Sequence, residues 1–348
     1  MDVLLPEWSP RRALVLRWPT RNDIWPYQAQ AAQAATLTLL SSLAPLMAAR
    51  DIQLQLEVVP EPTERFAALR QQLPSSIDMV PSGYADIWIR DCAPFYLGDP
   101  TSGDASATIV TDFNGWAGLD TDFQYDIQAR TELCRRFQLN PQHLPIVLEG
   151  GSLHTNGQGL IVYVASSVLD RRRNPELTTA EFESVLREYF GAKTIIRLPQ
   201  GLQSDETGGH ADNLLAFLSP TQCVLSMPAS GHIDYAQAVS YQRMLEQAGM
   251  DVMPVAQPAL NLSAEEADSI VRREGVMSRE AGMPLTASYT NGIRIADIYV
   301  VPQFGVPEDA QVLAQLRARC PDLTLVPAPA RDILVGGGGW HCASHAVV

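Results

Sequence analysis

The chain has 348 residues, 46% of them hydrophobic, which is enough to bury a large core and argues against wholesale disorder. A formal net charge of -14 argues against nucleic acid or an anionic membrane as partner and favours the approach of cationic ligands. Five scattered cysteines (Cys92, Cys134, Cys223, Cys320, Cys342) form no C-x-x-C pair and signal neither a disulfide framework nor a zinc site. The N-terminus lacks a basic region followed by an apolar run, and no stretch reads as the roughly 20 apolar residues of a membrane helix. The expectation is a cytoplasmic chain without nucleic-acid or membrane partners, with homo-oligomerisation left open.

Strands and helices alternate along the chain, and no low-complexity linker divides it, so residues 1–348 are expected to form a single domain. Ala13–Trp18 reads as a strand, Tyr27–Arg50 as a long helix, Ile52–Pro60 as a strand and Pro62–Leu73 as a helix. Short strands follow around Phe95–Leu97 and Ala107–Phe113, then a helix near Asp120–Arg136 and a strand at Leu144–Leu148. Ser152–Val164 contains Asn156-Gly157, a hairpin signal. Thr178-x-x-Glu181 is a capping box opening a helix to Phe190. Thr194–Pro199 reads as a strand, Asn213–Met227 as two strands around Ser219-Pro220, and Tyr235–Ala248 as a helix. A helix at Ala264–Arg273, a strand at Ile298–Pro302, a helix at Glu308–Arg319 and a strand at Leu323–Pro327 complete the series.

The recurring unit is hairpin, helix, strand, and reactive residues recur with it. Asp91 and Glu149 are 58 residues apart (149 − 91), Glu149 and His210 are 61 apart (210 − 149), and Cys342 follows His210 by 132 (342 − 210), near two units. Such a period suggests an internal repeat offering one residue per unit to a shared centre. Four motifs carry these residues: Asp86-Ile-Trp88-Ile-Arg90-Asp91-Cys-Ala-Pro94, Leu148-Glu149-Gly150-Gly151, Gly208-Gly209-His210-Ala-Asp212-Asn213 and Gly336-Gly-Gly-Gly-Trp340-His341-Cys342. Each alone has a bland reading, as a turn, a surface polar pair or a tail with an incidental thiol; the set is harder to dismiss.

A free thiol has a pKa of about 8.5, so at neutral pH the thiolate must be favoured by a neighbouring cation or dipole. His341 adjoins Cys342, but neighbours on a strand face opposite ways, so His210 or a cationic substrate is the better activator. One Cys, one His and three carboxylates make a poor zinc set, so no metal is expected. Three buried carboxylates still need a cation. A guanidinium is planar, always charged and matches carboxylates bidentately, and a thiolate is a reasonable nucleophile for its carbon.

These motifs, with Ala287-Ser-Tyr-Thr-Asn291, Val301-Pro-Gln-Phe-Gly305, Pro6-Glu-Trp8 and Leu16-Arg-Trp18-Pro19, resemble the successive motifs of the agmatine deiminase and Porphyromonas-type peptidylarginine deiminase family over nearly the whole chain. The resemblance implies the pentein fold: an α/β five-bladed propeller of hairpin-helix-strand units around a central active site. Carried over position by position, it implies Cys342 as nucleophile, His210 as general acid/base, Asp91 and Asp212 as guanidinium-binding carboxylates, Glu149 as the acid on the histidine side and Trp88 in the substrate cleft. No cofactor is implied.

The chain departs from the family pattern at Gly339 and Trp340, where Asn-Ile is usual, at Gly208 beside Thr207, and at Gly292, where the Asn-Phe-Tyr motif becomes Asn291-Gly-Ile. Asn291, Gly339 and Trp340 are therefore expected to shape the substrate site. Arg90 or Arg294 would be the donor for a substrate carboxylate. The implied reaction releases ammonia and a ureido product from a small cationic guanidino compound through a covalent thiouronium. Agmatine ranks first, another small guanidino compound second and peptidyl arginine third. An amidinotransferase and a non-catalytic guanidino-compound binder are the rivals.

Overall fold

Backbone pairing repeats one pattern five times. In the computed structural model, which describes residues 2–60 and 63–348, a short strand turns back antiparallel on a second, and a third lies parallel to that second. Leu153–Thr155, Leu160–Val164 and Thr194–Leu198 form one such sheet. Leu215–Phe217, Gln222–Met227 and Asp251–Ala256 form another, and Arg294–Ile295, Ile298–Gln303 and Thr324–Pro329 a third. In the fourth, Phe95–Gly98, Ala105–Asp112 and Gln142–Val147 are joined by Val3–Leu4 on the free edge. The fifth unites the chain ends: Ser344–Val347 pairs antiparallel with Ala13–Arg17, and Gln53–Val58 and Ile77–Pro81 follow in parallel. A separate two-stranded pair joins Leu260–Asn261 to Pro284–Leu285.

A parallel pair needs a crossover, and here a helix supplies it each time. Gln30–Ala48, Gln124–Arg136, Thr179–Tyr189, Tyr235–Gln247 and Glu308–Arg319 each link the second strand of a sheet to its parallel neighbour. The Thr178 capping box forms as read: its side chain accepts from Glu181 N, and its own N–H donates to Glu181 Oε2 at 2.9 Å.

Several helix boundaries differ from the sequence reading; the helix expected near Asp120–Arg136, for one, opens at Gln124. The long helix opens at Gln30 because Tyr27, Gln28 and Ala29 adopt φ of 49°, 58° and 63°, which a right-handed helix cannot contain. The 23-residue stretch Pro26–Ala48 is, against expectation, long and apolar enough by composition to cross a membrane. In the fold Leu39, Leu40, Leu43 and Met47 are buried in a core shared with Leu54, Leu56, Val326 and Ala328. The helix expected over Ala264–Arg273 stops at Ser269, where the backbone turns extended at Ile270 and Val271 N donates to Asn22 O. Pro62 of the expected second helix lies outside the described residues, and its body runs Thr63–Gln72.

The sheets matter to function through the segments that enter them. Asp91 precedes Phe95–Gly98, Glu149 precedes Leu153–Thr155, His210 and Asp212 precede Leu215–Phe217, Asn291 precedes Arg294–Ile295, and Cys342 precedes Ser344–Val347. The long gap between His210 and Cys342 is thus filled by the unit that presents Asn291. Buried charge anchors this region. Arg17 Nε contacts Glu57 at 3.0 Å and its Nη1 contacts Asp126 at 2.7 Å, and it also donates to Asp86 O, so the loop leading to Trp88 is tied to the sheet that unites the chain ends.

Candidate active site

Cys342 lies in a turn, with Ala343 N donating to Gly339 O and Ser344 N to His341 O, so the expectation that His341 and Cys342 face opposite ways fails. Both meet Asp212: His341 Nδ1 is 2.8 Å and Cys342 Sγ 3.3 Å from the same Oδ2. The turn exists because the glycines allow a tight approach. A Cβ on Gly337, where φ is 108°, would fall 1.6 Å from Glu206 Oε1, and one on Gly338 would fall 2.8 Å from the Trp88 ring. Asn291 braces the turn from the facing unit. Its Oδ1 accepts from His341 N at 3.1 Å and Cys342 N at 3.3 Å, and its Nδ2 donates to Sγ at 3.0 Å. Burial, then Asp212 and Asp91, push the Cys342 thiol well above its ordinary range, with Asn291 opposing them.

His210 is 1% exposed. Its backbone N–H donates to Asp205 Oδ2 at 2.8 Å, which fixes the loop. Its Nδ1 stands 3.7 Å from Asp91 Oδ2 and its Nε2 3.9 Å from Glu149 Oε2. These are ionic contacts, too long for hydrogen bonds. Burial lowers the imidazolium pKa, but Asp91, Glu149 and Asp205 outweigh it and hold His210 up to about 10. Asp91 is fixed by Gly151 N at 2.9 Å and Trp116 Nε1 at 2.8 Å; burial raises its carboxyl in spite of His210. Glu149, wholly buried, would also be raised by burial, yet His210 and Arg173, whose Nε is 2.6 Å away, hold it at about 2. Asp212 is lowered: burial opposes ionisation, and His341 and His210 overcome it.

The three carboxylates therefore need no external cation to be tolerated, contrary to the sequence argument. Arg173 serves Glu149, His210 serves Asp91 and His341 serves Asp212. One oxygen is left over: Asp212 Oδ1 is buried without a hydrogen-bond partner. Among the described residues no cluster of three His, Cys, Asp or Glu side chains is arranged to hold a metal ion.

A cavity opens onto this centre, lined by Trp88, Asp91, His210 and Cys342, with Trp116 beside them. The same cavity is also lined by Asp86, Asp120, Glu206 and Arg279, none of which the motifs singled out for a role. Arg279 is committed to Glu206 at 2.8 Å and to Gly336 O at 2.7 Å. Asp86 is pushed up by burial to about 7.

Several expected substrate contacts lie elsewhere. Arg90 lines a different cavity, where its Nη2 pairs with Glu7 at 2.8 Å. Arg294 sits against the Trp8 ring and donates to Leu218 O. Trp340 is 1% exposed and donates to Pro329 O at 3.0 Å, so it is a core side chain. Gly339 abuts Asn291, and a Cβ on Gly292 would strike Val300 O at 2.1 Å. Neither glycine lines this cavity, and Asn291 acts on the turn that holds Cys342. A readable hint of Glu206 existed, since it stands four residues before His210 in a loop rich in turn residues; Arg173, the last of three consecutive arginines, carried none.

The model of the Porphyromonas-type peptidyl-arginine deiminase family matches residues 3–347. The chain belongs to that family. It is 31% identical over 355 residues to the agmatine deiminase of Stutzerimonas stutzeri and 31% identical over the same length to that of Ectopseudomonas mendocina, each alignment covering 97% of this chain and 92% of the relative. Among solved structures it superposes on the agmatine deiminase of Enterococcus faecalis with a TM-score of 0.87 at 26% identity, covering 99% of this chain and 95% of that one. The fold is accordingly the pentein α/β fold of mixed sheets.

Proposed function

We propose that this family member is a cysteine hydrolase of linear amidines whose substrate is agmatine, converted to N-carbamoylputrescine with release of ammonia. The observation that carries this reading is the meeting of Cys342, His210 and Asp91 in a cavity that Asp86, Asp120 and Glu206 also line. Asp86 and Asp120 share Arg21, and Glu206 pairs with Arg279, so among the described residues this lining offers acceptors and no uncommitted guanidinium, which favours a substrate charged at both ends. A carboxylate tail, as in arginine, finds no free guanidinium there, since Arg90 and Arg294 are turned to other partners.

In the proposed cycle the guanidinium lies between Asp91 and Asp212, beside Trp88. Its positive charge offsets the two anions that hold the thiol protonated, so substrate binding itself favours the Cys342 thiolate. Sulfur attacks the guanidinium carbon. His210, already an imidazolium at neutral pH, gives its proton to the departing ammonia. The resulting thiouronium is opened by a water that His210, now neutral, deprotonates, with Glu149 orienting the ring. The chain acts as one domain over residues 1–348, and its five repeated sheets are read as five blades around this centre.

Ammonia release from agmatine, free arginine, guanidino acids and a blocked arginine peptide tests the reading. Agmatine should give the highest kcat/KM, and Cys342→Ser should lose essentially all turnover. A tenfold preference for the blocked peptide, about 1.4 kcal/mol in transition-state binding, would overturn the substrate; a Cys342→Ser enzyme within a few fold of wild type would overturn the chemistry.

A further inference from the structure

The turn that presents Cys342 carries a second buried histidine for which the cycle above has no use. His341 is 2% exposed, and both ring nitrogens meet carboxylate oxygens: Nδ1 lies 2.8 Å from Asp212 Oδ2 and Nε2 2.7 Å from Glu7 Oε1. A neutral imidazole has one N–H, and ionised carboxylates only accept, so two such partners require the doubly protonated ring. The other charged or titratable groups here are Arg90, His154, and Arg11 and His345, which line the same cavity as Glu7 and face it; burial keeps His345 well below its ordinary value, so it stays neutral. Arg90 contacts Glu7 and donates from Nε to His341 O at 3.3 Å. The His154 ring stacks on His341 at 5.0 Å and 29°. Burial and the neighbouring His341 charge lower His154 to about 4, so it adds no second cation at neutral pH. Cys342 shares Asp212 Oδ2 with His341.

This arrangement divides the labour of one carboxylate. Oδ2 of Asp212 is occupied by His341 and the thiol, and Oδ1 is buried and unpartnered. We propose that His341 is a positioning residue for deimination: held as an imidazolium by Glu7 of the N-terminal segment, it locks one oxygen of Asp212 and leaves the other to receive the guanidinium. The proposal rests on reading Asp212 as a guanidinium clamp. It gives the N-terminal Pro6-Glu-Trp8 segment a part in catalysis across 334 residues of chain. The direction of each shift agrees. Burial and Arg90 lower His341, but Glu7 and Asp212 leave it raised, and His341 in turn helps keep Asp212 below its ordinary value.

The consequence is a pH signature. Asp212 must be ionised to hold a cation, so kcat/KM falls as pH drops through its pKa. In Glu7→Gln, His341 loses the anion that keeps it protonated, Asp212 loses its cation, and its pKa rises. The acid limb of kcat/KM should move up by roughly half a pH unit or more, with KM rising more than kcat falls. His341→Gln should do the same, and the double variant should shift no further than either single change. Imidazole 15N shifts read the protonation without turnover: at neutral pH His341 should be protonated on both nitrogens in wild type and on one in Glu7→Gln. An acid limb that stays in place, or a uniform loss at every pH, would mark Glu7 and His341 as structural and overturn the proposal. So would a neutral His341 at neutral pH in wild type, whatever the activity. A wild type that is protonated at His341 yet releases no ammonia from any guanidino compound would instead overturn the reaction, and with it the catalytic part of the inference.

Discussion

Replacing Asn291 by aspartate changes the environment of the Cys342 sulfur with almost no change of shape. The acceptor oxygen for His341 N and Cys342 N is retained, at 3.1 and 3.3 Å, while the Nδ2–H that points at Sγ from 3.0 Å becomes a carboxylate oxygen. Asn213 Oδ1, 2.8 Å from the same Nδ2, loses its donor too. Both effects disfavour the thiolate: a hydrogen bond to the charged sulfur disappears, and a like charge takes its place. A hydrogen bond to a charged group is worth about 1.5–3 kcal/mol, so kcat should fall by about 10- to 150-fold from that loss alone, and the added charge moves it further in the same direction. The direct assay is alkylation of Cys342 by iodoacetamide across pH, followed by mass spectrometry of its peptide, because the other four cysteines are also free and buried. The midpoint of the Cys342 reaction should move to higher pH in Asn291→Asp. A variant with kcat within threefold of wild type and an unmoved midpoint would refute the view that this amide tunes the nucleophile.

Other outcomes follow from the same geometry. Arg173→Met strands the buried Glu149 carboxylate and should cost about 3–5 kcal/mol in chemical denaturation. Glu149 is held at about 2, below its ordinary 4.5, so its stabilisation is complete above about pH 4.5 and lost as pH falls toward 2; the acid-unfolding midpoint should therefore rise in Arg173→Met. Trp340→Ala should lose about 3–5 kcal/mol of stability as a core truncation, with KM unchanged for the folded enzyme; a large KM effect would return Trp340 to the substrate site. KM for agmatine should fall as pH rises through about 7, where Asp86 ionises, and Asp86→Asn should flatten that dependence.

Much of the fold was legible because its unit is punctuated. The capping box at Thr178, the Asn156-Gly157 turn and the apolar strands set most boundaries within a few residues. The misses arose where distant contacts decide local form. Ser344–Val347 becomes a strand because Ala13–Arg17, at the other end of the chain, offers it an edge. The helix after Ser263 stops early where Val271 N finds Asn22 O. Neither partner is visible in a local window of sequence.

The site divides along the same line. Residues that open a sheet beside glycine or proline, Asp91, Glu149, His210, Asp212 and Cys342, stand out because the backbone must turn sharply where they sit. The residues that set their charge come from elsewhere: Arg173 for Glu149, Trp116 for Asp91, Glu7 for His341. Their types are ordinary, and only the closure of the fold brings them within hydrogen-bonding distance. Trp340 erred in the opposite direction. It borrowed significance from its neighbours His341 and Cys342, yet a turn sends adjacent side chains to different environments, and this one points into the core. The same turn brings His341 and Cys342 to a single oxygen of Asp212, so a strand-based rule of alternation separates two residues that the fold joins. In a repeated fold, then, sequence marks where each unit touches the centre, whereas the protonation states at the centre are set by contacts between units.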